Sequence, residues 1–196
     1  MPMKRDLCIA ELLRYRTDQI IVAAYHAAFD LLRLQPHPLN FVSTGAMGLA
    51  SSHALGLALG RPDCRVIVFD GDGSLLMNVG SLVTIADAGP PNLLHLVFEN
   101  GTYEANGAVP IPGQGRVRFV DFARAAGYRA CWEFDELPAF AARLPEVLAA
   151  NGPSFATLKI EPGAPSKRDF ETIHGAAARE SFRRALESLP LDRDRR

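Results

Sequence analysis

Four apolar residues, Val66, Ile67, Val68 and Phe69, run straight into Asp70-Gly71-Asp72-Gly73-Ser74. A short β-branched and aromatic run of this kind forms a strand buried on both faces, as parallel sheets require. Two glycines let the backbone turn tightly and approach a ligand. Asp72 then stands at the carboxyl end of the strand, where open α/β sheets bind ligands. Leu93 to Phe98 reads as a second buried strand, and it too ends in a polar turn, Glu99-Asn100-Gly101-Thr102. If the two strands are neighbours, Asp72 and Asn100 meet. One carboxylate, one amide oxygen and a main-chain carbonyl form a hard-oxygen set suited to Mg²⁺ carrying phosphate groups. Residues 77–88 read as a helix whose N-terminus suits a phosphate.

The rest of the chain alternates in the same way. Helices are expected over Arg5–Arg16, Tyr25–Leu34, Met47–Leu59, Asp121–Ala126, Glu136–Ala150 and Ala176–Leu189. Strands are expected over Gln19–Ala24, Asn40–Ser43, Tyr128–Glu133 and Ser154–Ile160. Gly101–Arg118 reads as a long loop rich in Gly and Pro, a length that goes with function or mobility. Glu161–Gly175 reads as a second loop, carrying Lys167, Arg168 and His174. The expected fold is α/β: one domain over 1–196, a parallel sheet with helices on both faces and a frayed tail from 190.

Composition narrows the function. A hydrophobic content of 48% fits a globular chain, and a net charge of −1 gives no electrostatic case for nucleic acid or an anionic membrane surface. No apolar run reaches membrane-spanning length. Cys8, Cys64 and Cys131 are scattered, with no CxxC pairing, which implies reduced thiols and a cytoplasmic setting.

Gly71-Asp72-Gly73, then 26 residues, then Asn100 resembles the diphosphate-binding motif of thiamine diphosphate enzymes. The first Asn of that motif's usual Asn pair is Glu99 here. Phe41 to Gly48, followed by Ala50 to Gly56, resembles the segment that cradles the cofactor's aminopyrimidine. Asn100-Gly101 and Pro112-Gly113-Gln114-Gly115 resemble the phosphonopyruvate and sulfopyruvate decarboxylases in particular. The resemblance covers roughly residues 18–162 and implies a diphosphate-binding fold.

It also implies roles. Asp72, Asn100 and the Thr102 carbonyl would ligate Mg²⁺. Gly71, Gly73, Ser74, Asn100, Thr102 and Tyr103 would hold the diphosphate end. The Gly45 carbonyl, Ala46 and the Met47 N–H would face the pyrimidine. The Met47 side chain would wedge beneath the bent cofactor, a task that suits a soft thioether. His26, after the first strand, is the candidate for touching a small 2-oxo acid. Each residue also has a plainer reading: Asp72 and Asn100 as turn formers, Ser74 as a helix N-cap, Met47 and His53 as packing. Gln114, Arg116 and Arg118 on the long loop are either oxo-acid contacts or solvated charge.

The resemblance breaks at Ala23 to Ala28, where such decarboxylases carry a Thr/Gly/Ser turn, and at Leu49, where they often carry His. These enzymes also need a glutamate at the pyrimidine N1′, supplied by a second domain of similar size. The expectation is therefore a β subunit completed by an α subunit that carries the glutamate. A carboligating, acetolactate synthase-like subunit, a non-catalytic cofactor-binding subunit and an unrelated phosphate-binding module are the alternatives.

Overall fold

A computed structural model describes residues 3–163 and 168–190. The expectations for Lys167 and for the tail beyond 190 lie outside the described residues. In chain order the elements are α1 (Arg5–Leu13), β1 (Ile20–Ala23), α2 (Tyr25–Leu34), β2 (Asn40–Phe41), α3 (Ala50–Gly60), β3 (Val66–Gly71), α4 (Asp72–Leu76), α5 (Ser81–Ala88) and β4 (Leu93–Glu99). There follow β5 (Thr102–Tyr103), β6 (Val109–Pro110), α6 (Phe119–Ala126), β7 (Ala130–Phe134), α7 (Leu137–Ala149), β8 (Ser154–Lys159), α8 (Phe170–His174) and α9 (Ala176–Ser188).

The main sheet has six strands in the order β2-β1-β3-β4-β8-β7, and all five pairings are parallel. Alternate side chains serve two cores. Ile21, Ala23, Ile67, Phe69, Leu94, Leu96 and Phe98 pack beneath α1, α2 and α7. Ile20, Val22, Val66, Val68, Leu93, Val97 and Phe155 pack beneath α3, α5, α6 and α9. Burial on both faces explains why these strands are continuously apolar rather than alternating. The expected doubly covered α/β sheet is what the chain forms.

Several boundaries differ from expectation, each for a local reason. The expected helix over 77–88 begins only at Ser81, as α5, and a separate short helix precedes it: α4, which starts at Asp72, directly off β3. The break is held from outside: the Asn78 amide donates to the Gly48 carbonyl at 3.0 Å. The helix expected from Met47 starts at Ala50, because Gly48 has a left-handed φ of +82° that no helix accommodates. β2 is only two residues long. The loop after Asn100 is not structureless. β5 and β6 form a small antiparallel hairpin around a 3₁₀ turn at Glu104–Asn106, closed by the Ile111 N–H to the Gly101 carbonyl at 3.0 Å. The loop after Glu161 contains the short helix α8, capped by Asp169.

Candidate active site

β3 and β4 pair in parallel with Gly71 opposite Phe98, so the two polar turns that follow emerge side by side. The Asp72 carboxylate is 1% exposed and accepts two main-chain N–H bonds, from Gly73 at 2.8 Å and Gly101 at 2.7 Å. The second bond joins the two strand ends directly. The Asn100 amide oxygen accepts from the Thr102 N–H at 2.8 Å and from its hydroxyl at 3.1 Å, which fixes the side chain within its own turn. Burial pushes the Asp72 carboxyl up to about 6, against the pull of the Gly101, Gly73 and Asn100 N–H groups. Nothing cationic in the described chain ion-pairs with it.

Ser74 lies inside α4, not at its cap, and its hydroxyl accepts from the Gly48 N–H at 2.9 Å. With Asn78 holding the Gly48 carbonyl, both main-chain groups of Gly48 are tied to the segment that follows β3. A Cβ on Gly48 would sit 3.1 Å from the Asn78 Cβ. These contacts lock the Gly45–Gly48 loop, including Met47, against the Asp72 turn. Tyr103 lies against the other side of that turn: a Cβ on Gly73 would sit 2.5 Å from the Tyr103 ring.

One crevice collects His26, Met47, Gly71, Asp72, Gly73, Ser74, Asn100, Thr102 and Tyr103. Gly45 and Ala46 are exposed beside it and do not line it. His53 packs on Phe41, with ring centroids 5.3 Å apart, and stays outside. Gln114 folds over the Gly101 turn, where a Cβ would lie 2.7 Å from its amide nitrogen. Arg118 is engaged with Asp121 at 3.1 Å and Glu133 at 3.4 Å on the surface. Arg116 is exposed.

Two residues in the crevice carried no signal in the sequence. Arg5, from α1, is 8% exposed and donates to Asp30 at 2.8 Å and to Glu104 at 2.6 Å. Glu104 also accepts from the Gly163 N–H at 2.8 Å and lies 3.9 Å from His26 Nδ1. Burial alone would raise the Glu104 carboxyl, but Arg5 outweighs it and holds the group below its usual range. Burial, reinforced by Arg5, lowers His26 and disfavours its charged form. Arg5 and Glu104 are 99 positions apart, and no local pattern could have linked them.

The donor set fits a hard divalent cation in one respect and limits it in another. Its side-chain atoms are oxygens, and the buried Asp72 charge lacks compensation from the chain. Among the described residues, however, no group of three His, Cys, Asp or Glu side chains is placed to hold a metal. A cation here depends on amide and main-chain oxygens and on oxygens brought by the ligand.

An open parallel α/β sheet with an oxygen-lined crevice at the ends of adjacent strands defines a doubly wound ligand-binding protein. Comparison with known proteins names the family. The family model "Thiamine pyrophosphate enzyme, C-terminal TPP binding domain" matches residues 21–157, and the chain belongs to that family. It is 38% identical over 142 residues to the phosphonopyruvate decarboxylase of Streptomyces viridochromogenes, covering 69% of this chain and 34% of that protein. It is 36% identical over 138 residues to the sulfopyruvate decarboxylase subunit beta of Methanothermobacter thermautotrophicus, covering 68% of this chain and 69% of that subunit. Among solved structures, benzoylformate decarboxylase from Polynucleobacter necessarius superposes with a TM-score of 0.65 at 23% identity, over 85% of this chain and 35% of that one. The chain thus spans about a third of the length of the first curated relatives it matches. Among the described residues, no helix is long and apolar enough to cross a membrane.

Proposed function

We propose that this chain, acting as one domain over 1–196, is the diphosphate-binding subunit of a cytoplasmic thiamine diphosphate- and Mg²⁺-dependent 2-oxo acid decarboxylase. An α subunit supplies the pyrimidine-binding half and the N1′ glutamate. The observation that carries the reading is the single crevice in which a buried, uncompensated Asp72 carboxylate, the Asn100 turn and Met47 converge. Asp72, Asn100 and the Thr102 carbonyl would hold Mg²⁺. Gly71, Gly73, Ser74 and Tyr103 would hold the diphosphate end, and Met47, with Gly45 and Ala46 exposed beside the crevice, would face the pyrimidine end. When bound, the cofactor supplies an electron sink for the carbon that loses CO₂. The chain anchors it, shapes it through Met47 and keeps water out. His26, buried beside Glu104 and Arg5, would be the group that exchanges a proton with the substrate.

The subunit arrangement is supported by the relatives named as beta subunits. It is supported too by apolar side chains left exposed beside the Met47 loop, Leu49 and Met77, and further along the segment that follows α4, Val79 and Val83. Such a rim beside a crevice suits a protein partner. Reconstitution with an α subunit, Mg²⁺ and thiamine diphosphate, followed by an oxo-acid screen with product analysis, tests the proposal. The complex is expected to release CO₂ and an aldehyde, and this chain alone to be inactive. Sustained decarboxylation by the chain alone, with mass spectrometry excluding a partner, would refute the split-subunit reading. Failure of the complex to bind thiamine diphosphate would refute the cofactor reading.

A further inference from the structure

β1 passes into α2 through one residue, Ala24. The Ala24 N–H is held by the Phe69 carbonyl at 3.1 Å, while the Ala24 carbonyl accepts from Ala27 at 3.1 Å and from Ala28 at 3.4 Å. Strand and helix are therefore both anchored within a few atoms of each other, and the bend falls on Tyr25. Its φ is +44°, in the left-handed region, where a bulky aromatic residue is a genuine outlier. Strain of this kind persists only where the surroundings impose it, and it clusters at functional sites. The geometry matches a known device: a sharp, strained strand-to-helix turn that lifts one side chain to the top of an α/β sheet.

The place it lifts Tyr25 to is the crevice. Tyr25 lines it, with its ring partly buried against the α3 side of the core. Its hydroxyl makes no hydrogen bond to any described residue. β1 lies between β3, whose end carries Asp72, and β2, whose following loop carries Met47. Tyr25 therefore lines the same crevice as Asp72 and Met47.

We propose that Tyr25 is a substrate-contacting residue whose phenol hydroxyl donates to an anionic oxygen of the 2-oxo acid, and that its left-handed backbone is what presents it there. This rests on the cofactor reading above. A tyrosine that served packing alone would gain nothing from the strain, and its hydroxyl is left open at the crevice rather than tied to the chain.

Two comparisons test this. In the metal-free chain, Tyr25→Gly is expected to melt higher than Tyr25→Ala by about 4 °C, because only glycine is unstrained at positive φ. At ordinary φ the order reverses, and Ala melting at or above Gly would overturn the proposal. In the reconstituted complex, Tyr25→Phe is expected to keep the melting temperature and the calorimetric affinity for thiamine diphosphate. Its kcat/KM for the oxo acid is expected to fall roughly tenfold to a hundredfold, the range for losing a hydrogen bond to a charged group. Unchanged kcat/KM beside an active wild-type complex would overturn the role of Tyr25 alone. A wild-type complex that binds no thiamine diphosphate would overturn the cofactor reading and this proposal with it.

Discussion

Two acidic groups withdrawn from solvent line the same crevice, and the chain treats them differently. Glu104 and its neighbour Asp30 share the Arg5 guanidinium, at 2.6 Å and 2.8 Å, and Glu104 stays ionised despite its burial. Asp72 is more deeply buried, yet has main-chain N–H donors in place of a cation and sits near 6 instead of in the ordinary carboxylate range. A buried charge that serves architecture is normally neutralised in place, because stranding it is expensive. The Arg5–Asp30–Glu104 cluster follows that rule and ties α1, α2 and the β5–β6 hairpin together. Asp72 departs from it at the strand ends where this fold binds ligands. On the proposed function, the contrast separates a charge the chain needs for itself from one held ready for a cation.

The contrast breaks most visibly through Asp72→Ala. If Asp72 waits for a cation, this substitution lowers Mg²⁺-dependent thiamine diphosphate affinity by on the order of a hundredfold or more, since removal even of a group supporting a ligand costs ten- to a hundredfold. The fold survives, because no ion pair is lost. Calorimetry of the reconstituted complex showing unchanged affinity would place Asp72 among ordinary turn residues.

Arg5→Met tests the other side. It leaves Glu104 without its cation and Asp30 with only the more exposed Arg33 at 3.7 Å, and removal of one partner from a buried pair costs about 3–5 kcal/mol. For a chain of this size that lowers the melting temperature by roughly 10 °C. Adding Glu104→Gln and Asp30→Asn restores a large part of it. A loss of only a degree or two in Arg5→Met would mean that the cluster is not the structural element described above.

The same division decides what could be read from the residues alone. The strands were legible because burial on both faces leaves an unbroken apolar run, as in Val66–Phe69 and Leu93–Phe98. The meeting of Asp72 with the Asn100 turn was legible too, because parallel neighbours put their carboxyl ends side by side. The break between α4 and α5 was not, because it depends on Asn78 reaching Gly48 across thirty positions, whereas the apolar pattern of 77–88 runs on. Ser74 read locally as a cap, but its hydroxyl answers a glycine N–H in another loop. Arg5 and Tyr25 were invisible for different reasons. One acts through a partner 99 positions away, and the other through a backbone angle that its residue type disfavours.

The smallest effect sharpens the comparison on Asp72 itself, in the metal-free chain. Its carboxyl rises from the ordinary 3.8 to about 6 on folding. An acid with a raised pKa holds its proton more tightly in the folded state than in the unfolded one. Between about pH 4 and 6 the folded chain therefore binds more protons, and stability falls as pH rises. The stabilisation is fully present below about pH 4 and is lost as pH rises through 6. Asp72→Asn removes the titration, but its amide can accept only one of the two N–H bonds, so the informative quantity is how the melting difference changes with pH. From pH 4 to pH 8 that difference is expected to move by a few degrees in favour of the variant, because only the wild-type carboxyl ionises over this range. Adding Mg²⁺ and thiamine diphosphate with the α subunit at pH 8 moves it back towards wild type, since only the wild-type carboxylate gains from the cation. Calorimetric melting of both proteins at pH 4, 5, 6 and 8 checks this, and a difference independent of pH would show that Asp72 carries no uncompensated charge.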